Sequence, residues 1–160
     1  MTPVHPDILS ALTAGIQSEV ATYVFYIEAA KQVADEDIKA TLRQLAGEEK
    51  GHFQILERQY DSLVRSERWI STADIMKQPG LPEITEEMEA QHKNLVTRVR
   101  QAKDKLEILG LALGLEKAAH ELFVKEAGKS KSKEAKETFE HLARFEQGHI
   151  NLISGMIARL

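Results

Sequence analysis

The strongest constraint on the fold is a phrase that the chain writes twice. "LAGEEKGH" runs from Leu45 to His52 and "LARFEQGH" from Leu142 to His149, 97 positions later, with Leu, Ala, Glu, Gly and His kept in place. In each copy the Glu and the His stand three residues apart, the spacing that puts two side chains on one face of an α-helix. Both phrases lie inside long stretches whose apolar residues recur every three or four positions. The repeated unit is therefore a helix that carries a carboxylate and an imidazole on its apolar face. A chain that buries this pair twice must pack helix on helix and must compensate the buried polarity.

Four such stretches organise the chain. Pro6 and Asp7 open the first, predicted as a helix over about 7–33, and a brief acidic turn makes the second, about 36–67, antiparallel to it. Asp104 and Glu107 form a capping-box pattern that opens the third, about 105–127, which closes at Gly128; the fourth covers about 131–158. The stretch 68–103, with "KQPGLPEIT" in its middle, is too long for a hairpin turn and is read as a crossover with its own helix at about 84–101. No segment alternates as a strand does. The expected fold is all-α: a four-helix bundle of two antiparallel hairpins, with residues 1–160 forming one domain.

The inward seams of these helices each carry a carboxylate. They read Leu12, Ile16, Glu19, Tyr23, Tyr26; then Leu42, Leu45, Glu49, His52, Leu56; then Leu109, Leu113, Glu116, His120, Phe123; and finally Leu142, Glu146, His149, Ile153, Met156. Glu19 precedes Glu49 by 30 residues, as Glu116 precedes Glu146, so the chain reads as two copies of one hairpin. At this content of Glu and His, random placement gives roughly 0.7 Glu-x-x-His pairs; three occur. The third, Glu89 with His92, lies in the crossover, has Gln59 thirty residues upstream and no repeat partner, and is read as a solvated or rim pair. For the other two, one alternative is that Glu49 and Glu146 snorkel to the surface beside satisfied core histidines. Burying four carboxylates with no counter-charge costs several kcal/mol each, against a typical domain stability of about 5–15 kcal/mol. A pair of divalent cations offsets those four charges, and ligation by oxygen and imidazole suits iron while also accepting Mn or Zn.

Composition excludes several other classes. A formal charge of −4 and a pI near 5.9 leave no basic field for a phosphate backbone, so no nucleic-acid partner is expected. The absence of Cys removes disulfides, thiolate metal sites, iron-sulfur clusters and Cys nucleophiles together. "MTPVHPDILS" lacks the pattern of a secretory signal, and no stretch reaches the ~18 apolar residues of a membrane span. A cytoplasmic protein with no membrane partner is expected.

Glu19 with Tyr26 seven residues on, then "EEKGH", "LEKAAHELF" and "FEQGH", together resemble the rubrerythrin branch of the ferritin-like superfamily over about residues 7–67 and 104–158. The resemblance implies a ferritin-like bundle with two Fe ions per chain. Glu19 and Glu116 would be terminal ligands, Glu49 and Glu146 would bridge, and His52 and His149 would each cap one iron. It further implies oxidation of a di-ferrous pair by hydrogen peroxide or dioxygen, with peroxide detoxification as the leading function. Two positions depart from rubrerythrins proper: Ala119 stands where they carry an exchangeable Glu, and His149 makes the halves symmetrical, as in the ferroxidase centre of bacterioferritin. With no Cys-rich rubredoxin domain in the sequence, electrons are expected from an external donor protein or from iron itself. Tyr26 either donates a proton or an electron, or simply packs. His120 is either a core imidazole just outside the ligands or an added iron ligand in place of the missing Glu. A ferroxidase that passes iron to storage, and a bundle whose metals only hold it together, are the other readings. A homo-oligomer, dimer or larger, is the expected assembly.

Overall fold

The computed structural model of the chain describes residues 6–160; the N-terminal residues 1–5, part of the segment read above as lacking a signal, lie outside them. Among the described residues there are seven helices and no strand. The first hairpin pairs α1 (Pro6–Gln32) with α2 (Glu36–Ser66), and the second pairs α6 (Lys105–Lys129) with α7 (Lys133–Ala158). Between them the crossover carries α3 (Thr72–Met76), α4 (Glu86–Ala90) and α5 (Lys93–Gln101). The single crossover helix expected at about 84–101 is thus two helices, broken by a turn at Gln91 and His92, and α3 was not foreseen.

Local chemistry accounts for the helix ends. Pro6 opens α1, where a missing N–H is harmless. The Asp35 carboxylate accepts from the N–H groups of Asp37 and Ile38 at the start of α2, and Asp104 accepts from Glu107 N–H at the start of α6. Glu107 reaches back to the N–H of Lys103, one residue before the position that a capping box predicts. Gly128 does not close α6, which runs on to Lys129 and ends at Ser130.

The core holds two large apolar clusters, one toward each end of the bundle, and a smaller third beneath the crossover. Phe25, Tyr26, Leu42, Leu45, Leu109 and Ile153 belong to the first; Leu12, Leu56, Phe123, Phe139 and Leu142 belong to the second. At the second, Gly15 lets α1 approach closely: a Cβ there would lie 3.0 Å from Leu56 Cδ1 and 3.1 Å from Phe123 Cε1. Of the predicted seams, Ile16, Tyr23, Leu113 and His120 are only half-buried, while the other residues are buried. α1 is apolar on a further face because the crossover covers it: Val20 and Val24 of α1, with Phe53 of α2, pack against Ile84, Met88 and Val96. The buried Glu28 carboxylate ties α5 down by accepting from Arg100 Nε at 2.9 Å. Between the two apolar clusters lies a layer of charged side chains.

Candidate metal centre

Each helix of the bundle contributes to that layer. Glu19 comes from α1, Glu49 and His52 from α2, Glu116 from α6, and Glu146 and His149 from α7. The four carboxylates are fully buried and the two imidazoles nearly so, at 4% and 5% exposure. The i, i+3 spacing of Glu49 with His52 and of Glu146 with His149 points each pair inward along one face. Their ligand atoms form two groups, each within 4.8 Å: Glu19, Glu49, His52 and Glu146 in one, and Glu49, Glu116, Glu146 and His149 in the other.

Glu49 and Glu146 belong to both groups and divide their oxygens between the two imidazoles. Glu49 Oε1 lies 2.8 Å from His149 Nδ1 and its Oε2 lies 3.7 Å from His52 Nδ1. Glu146 Oε1 lies 3.3 Å from His52 Nδ1 and its Oε2 lies 3.5 Å from His149 Nδ1. Glu19 Oε2 stands 3.6 Å from His52, and Glu116 Oε1 stands 3.2 Å from His149. The two rings are 6.2 Å apart and nearly parallel, at 21°.

The electrostatics of this layer are those of a site in need of positive charge. Burial, reinforced by the charges of Glu49 and Glu146, raises Glu19 well above the ordinary carboxylate range. Burial likewise pushes Glu116 up to about 7. For Glu49 and Glu146 burial acts in the same direction, but the neighbouring carboxyl and imidazole groups outweigh it and hold both below the usual value. Burial disfavours a charged His52, yet Glu146 and Glu49 raise it to about 9, and the same balance raises His149.

The donor set fits a pair of divalent cations. Both oxygens of Glu19 and of Glu146, one oxygen each of Glu49 and Glu116, and Nδ1 of His52 are buried with no hydrogen-bond partner. Each such atom left unmet in a dry interior costs about 1–3 kcal/mol, and six of the seven are carboxylate oxygens, which accept but do not donate when ionised. Hard oxygen and borderline imidazole donors in these two groups can accept iron, manganese or zinc.

The other candidates fall around this centre. Tyr26 is fully buried and its hydroxyl donates to Glu116 Oε1 at 2.5 Å; burial and the Glu116 charge raise the phenol well above its usual value, so it keeps its proton. His120 is half-buried on α6 and belongs to neither four-residue group. Glu89 and His92 are half-buried in the crossover and also belong to neither. Ala119, in the place of the exchangeable Glu, packs in the second apolar cluster. Sequence reasoning missed Glu48, whose Oε2 accepts from His149 Nε2 at 3.0 Å. The signal available for it was the doubled Glu of "EEKGH". It also missed His141, whose ring stands 5.0 Å from that of Phe145, which in turn meets His52.

Two helical hairpins around a buried layer of four carboxylates and two imidazoles define a bundle of the ferritin-like superfamily, whose members build such centres from facing helices. The profile of the Rubrerythrin family matches residues 10–157, and the chain belongs to that family, one of di-iron carboxylate proteins. Among solved structures, a hypothetical protein from Pyrococcus furiosus shares the fold with a TM-score of 0.67 at 21% identity, over 94% of this chain and 87% of that one. No curated protein matches the chain. No helix among the described residues is long and apolar enough to cross a membrane.

Proposed function

We propose that this chain is a di-iron oxidoreductase that reduces hydrogen peroxide, with Glu19, Glu49, His52, Glu116, Glu146 and His149 holding two iron ions. The observation that carries this reading is that Glu49 and Glu146 are shared by both four-residue groups, as two metals bridged by carboxylates require. A bound pair of ferrous ions would supply two electrons to the O–O bond of peroxide, which with two protons gives two molecules of water. The protein's own part is positional. Tyr26 holds Glu116 in place through its hydroxyl and keeps a proton beside the centre. The apolar clusters at both ends of the bundle exclude bulk water, which strengthens every electrostatic interaction between them. Electrons come from an external donor protein, and the protein acts in the cytoplasm as a homo-oligomer.

Peroxide is favoured over dioxygen because the 30-residue hairpin spacing, the "EEKGH" and "LEKAAHELF" motifs and the long crossover resemble rubrerythrins, whose centres prefer peroxide. A second reading, a ferroxidase that passes iron to storage, is supported by two features: His149 mirrors His52, and Ala119 offers no exchangeable carboxylate. For the same reason peroxide turnover is expected to be slower than in a full rubrerythrin. The test is anaerobic loading with ferrous iron, a metal count, and rapid mixing with peroxide or with dioxygen. Two irons per chain and a larger second-order rate constant for peroxide support the proposal. A ratio that favours dioxygen, with iron accumulating beyond two per chain, moves the function to iron handling. Metal-dependent folding with no turnover leaves only structural metals.

A further inference from the structure

The two copies of the hairpin are not equal around the centre. Under the 97-residue offset, each side chain that supports a ligand in one half has a counterpart in the other. Glu48, which accepts from His149 Nε2 at 3.0 Å, corresponds to Phe145, whose ring meets His52 edge-on at 4.8 Å and 82°. Tyr26, which donates to Glu116, corresponds to Phe123, a fully buried member of the second apolar cluster. Both polar residues thus serve the half built by Glu116 and His149, and a Phe takes each place in the half built by Glu19 and His52. The unmet polar atoms follow the same division. Glu19 lacks a partner at both oxygens and His52 lacks one at Nδ1, whereas Glu116 lacks one only at Oε2 and neither nitrogen of His149 lacks one.

We propose that Glu48 is a positioning residue that makes the two metal positions unequal. It accepts the Nε2–H of His149 and so turns Nδ1 toward Glu49 and Glu116, which makes the Glu116/His149 position the first to fill and the tighter. The Glu19/His52 position, whose imidazole has an aromatic edge in place of that carboxylate, is filled second and exchanges more readily. This inference rests on the reading of the centre as a two-metal site. Its physical basis is general: a ligating imidazole whose other N–H reaches a carboxylate is fixed in tautomer and orientation, and losing that partner typically weakens metal binding by roughly ten- to a hundredfold. Glu48 lies at the rim of α2 with its side chain 37% exposed, so it can be replaced without opening the core.

The test is titration of the metal-free protein with cobalt(II) alone, absorption counting the bound equivalents and assigned ring resonances showing which imidazole each one reaches. In the parent, two equivalents bind in separate steps and the first shifts His149 while leaving His52 unmoved. Glu48→Ala weakens the first step by roughly ten- to a hundredfold and brings the steps together; Glu48→Gln, which keeps an accepting amide oxygen, restores part of the loss. Phe145→Glu supplies the mirrored carboxylate and tightens the second step. Without any metal, nitrogen NMR shows a hydrogen-bonded Nε2–H on His149 that Glu48→Ala abolishes. A first equivalent at His52, two indistinguishable steps in the parent, or a Glu48→Ala titration that overlays the parent overturns the proposal and leaves the two-metal reading standing. A parent that never takes up a second equivalent overturns that reading and this inference with it.

Discussion

Glu49, like Glu146, presents one oxygen to each imidazole, so both ions of the proposed centre depend on it. Glu49→Ala is expected to lose both metals together, because each four-residue group loses a donor. Glu19→Ala leaves the Glu49, Glu116, Glu146 and His149 group whole and is expected to keep one ion. Metal content after reconstitution distinguishes the two; a Glu49→Ala protein that holds two ions as tightly as the parent would refute the assignment. Tyr26 was ambiguous in the sequence, since a seam tyrosine is as readily a packing group as a reactive one, and only the tertiary contact with Glu116 separates these. Tyr26→Phe removes a buried hydrogen bond to a carboxylate and should cost about 1.5–3 kcal/mol in chemical denaturation of the metal-free protein. If Tyr26 also delivers a proton or an electron, peroxide turnover falls as well; an unchanged rate makes it a structural donor. His120→Ala, at a residue that belongs to neither group, should leave the metal count and oxidation rate as they are.

At the scale of the elements, the long helices were legible because apolar residues at steps of three and four leave only one face to bury, and Asp35 and Asp104 mark their starts. The crossover was not, because its helices are short and most of what holds them lies far away in sequence. Gln59, buried on α2, donates to the carbonyl of Ile70 at 2.6 Å and accepts from its N–H at 2.8 Å, so one side chain satisfies both backbone groups of a residue outside any helix. Trp69 beside it donates from Nε1 to Thr138 of α7 at 3.3 Å. Nothing in the local pattern around Gln59 announces these partners. Gln59→Ala would leave the Ile70 groups without their side-chain partner and is expected to lower stability by about 2 kcal/mol, with faster hydrogen exchange at the Ile70 amide. Unchanged exchange there would mean that the crossover is held from elsewhere.

For the molecule as a whole, the centre sets how stability depends on pH. Glu19 is raised by burial and its carboxylate neighbours, Glu116 by burial to about 7, and His52, against burial, by Glu146 and Glu49 to about 9. All three are raised on folding, so above the ordinary carboxylate value the folded metal-free chain binds more protons than the unfolded one, and stability falls as pH rises. The contribution of His52 is full below its unfolded value of 6.5 and is lost through about 9, while the cost of Glu116 grows from its unfolded value of 4.5 and is complete by about 7. Glu49 and Glu146, held low, lose their contribution only in acid. Denaturation midpoints of the metal-free protein should therefore fall between about pH 6 and 9, whereas metal affinity rises over the same range because ions replace those protons. A metal-free protein that gains stability over that interval would contradict the protonation states assigned here. The repeated octet, the 30-residue spacing and the helical period determined the all-α fold and brought six ligand-type residues to one level of four helices, since each of those relations is local to a helix or a hairpin. Which oxygen faces which imidazole, that Tyr26 reaches Glu116, that Glu48 backs His149 while Phe145 backs His52, and that the crossover covers α1 were decided only by tertiary structure, because each joins residues on helices whose relative rotation no local pattern specifies.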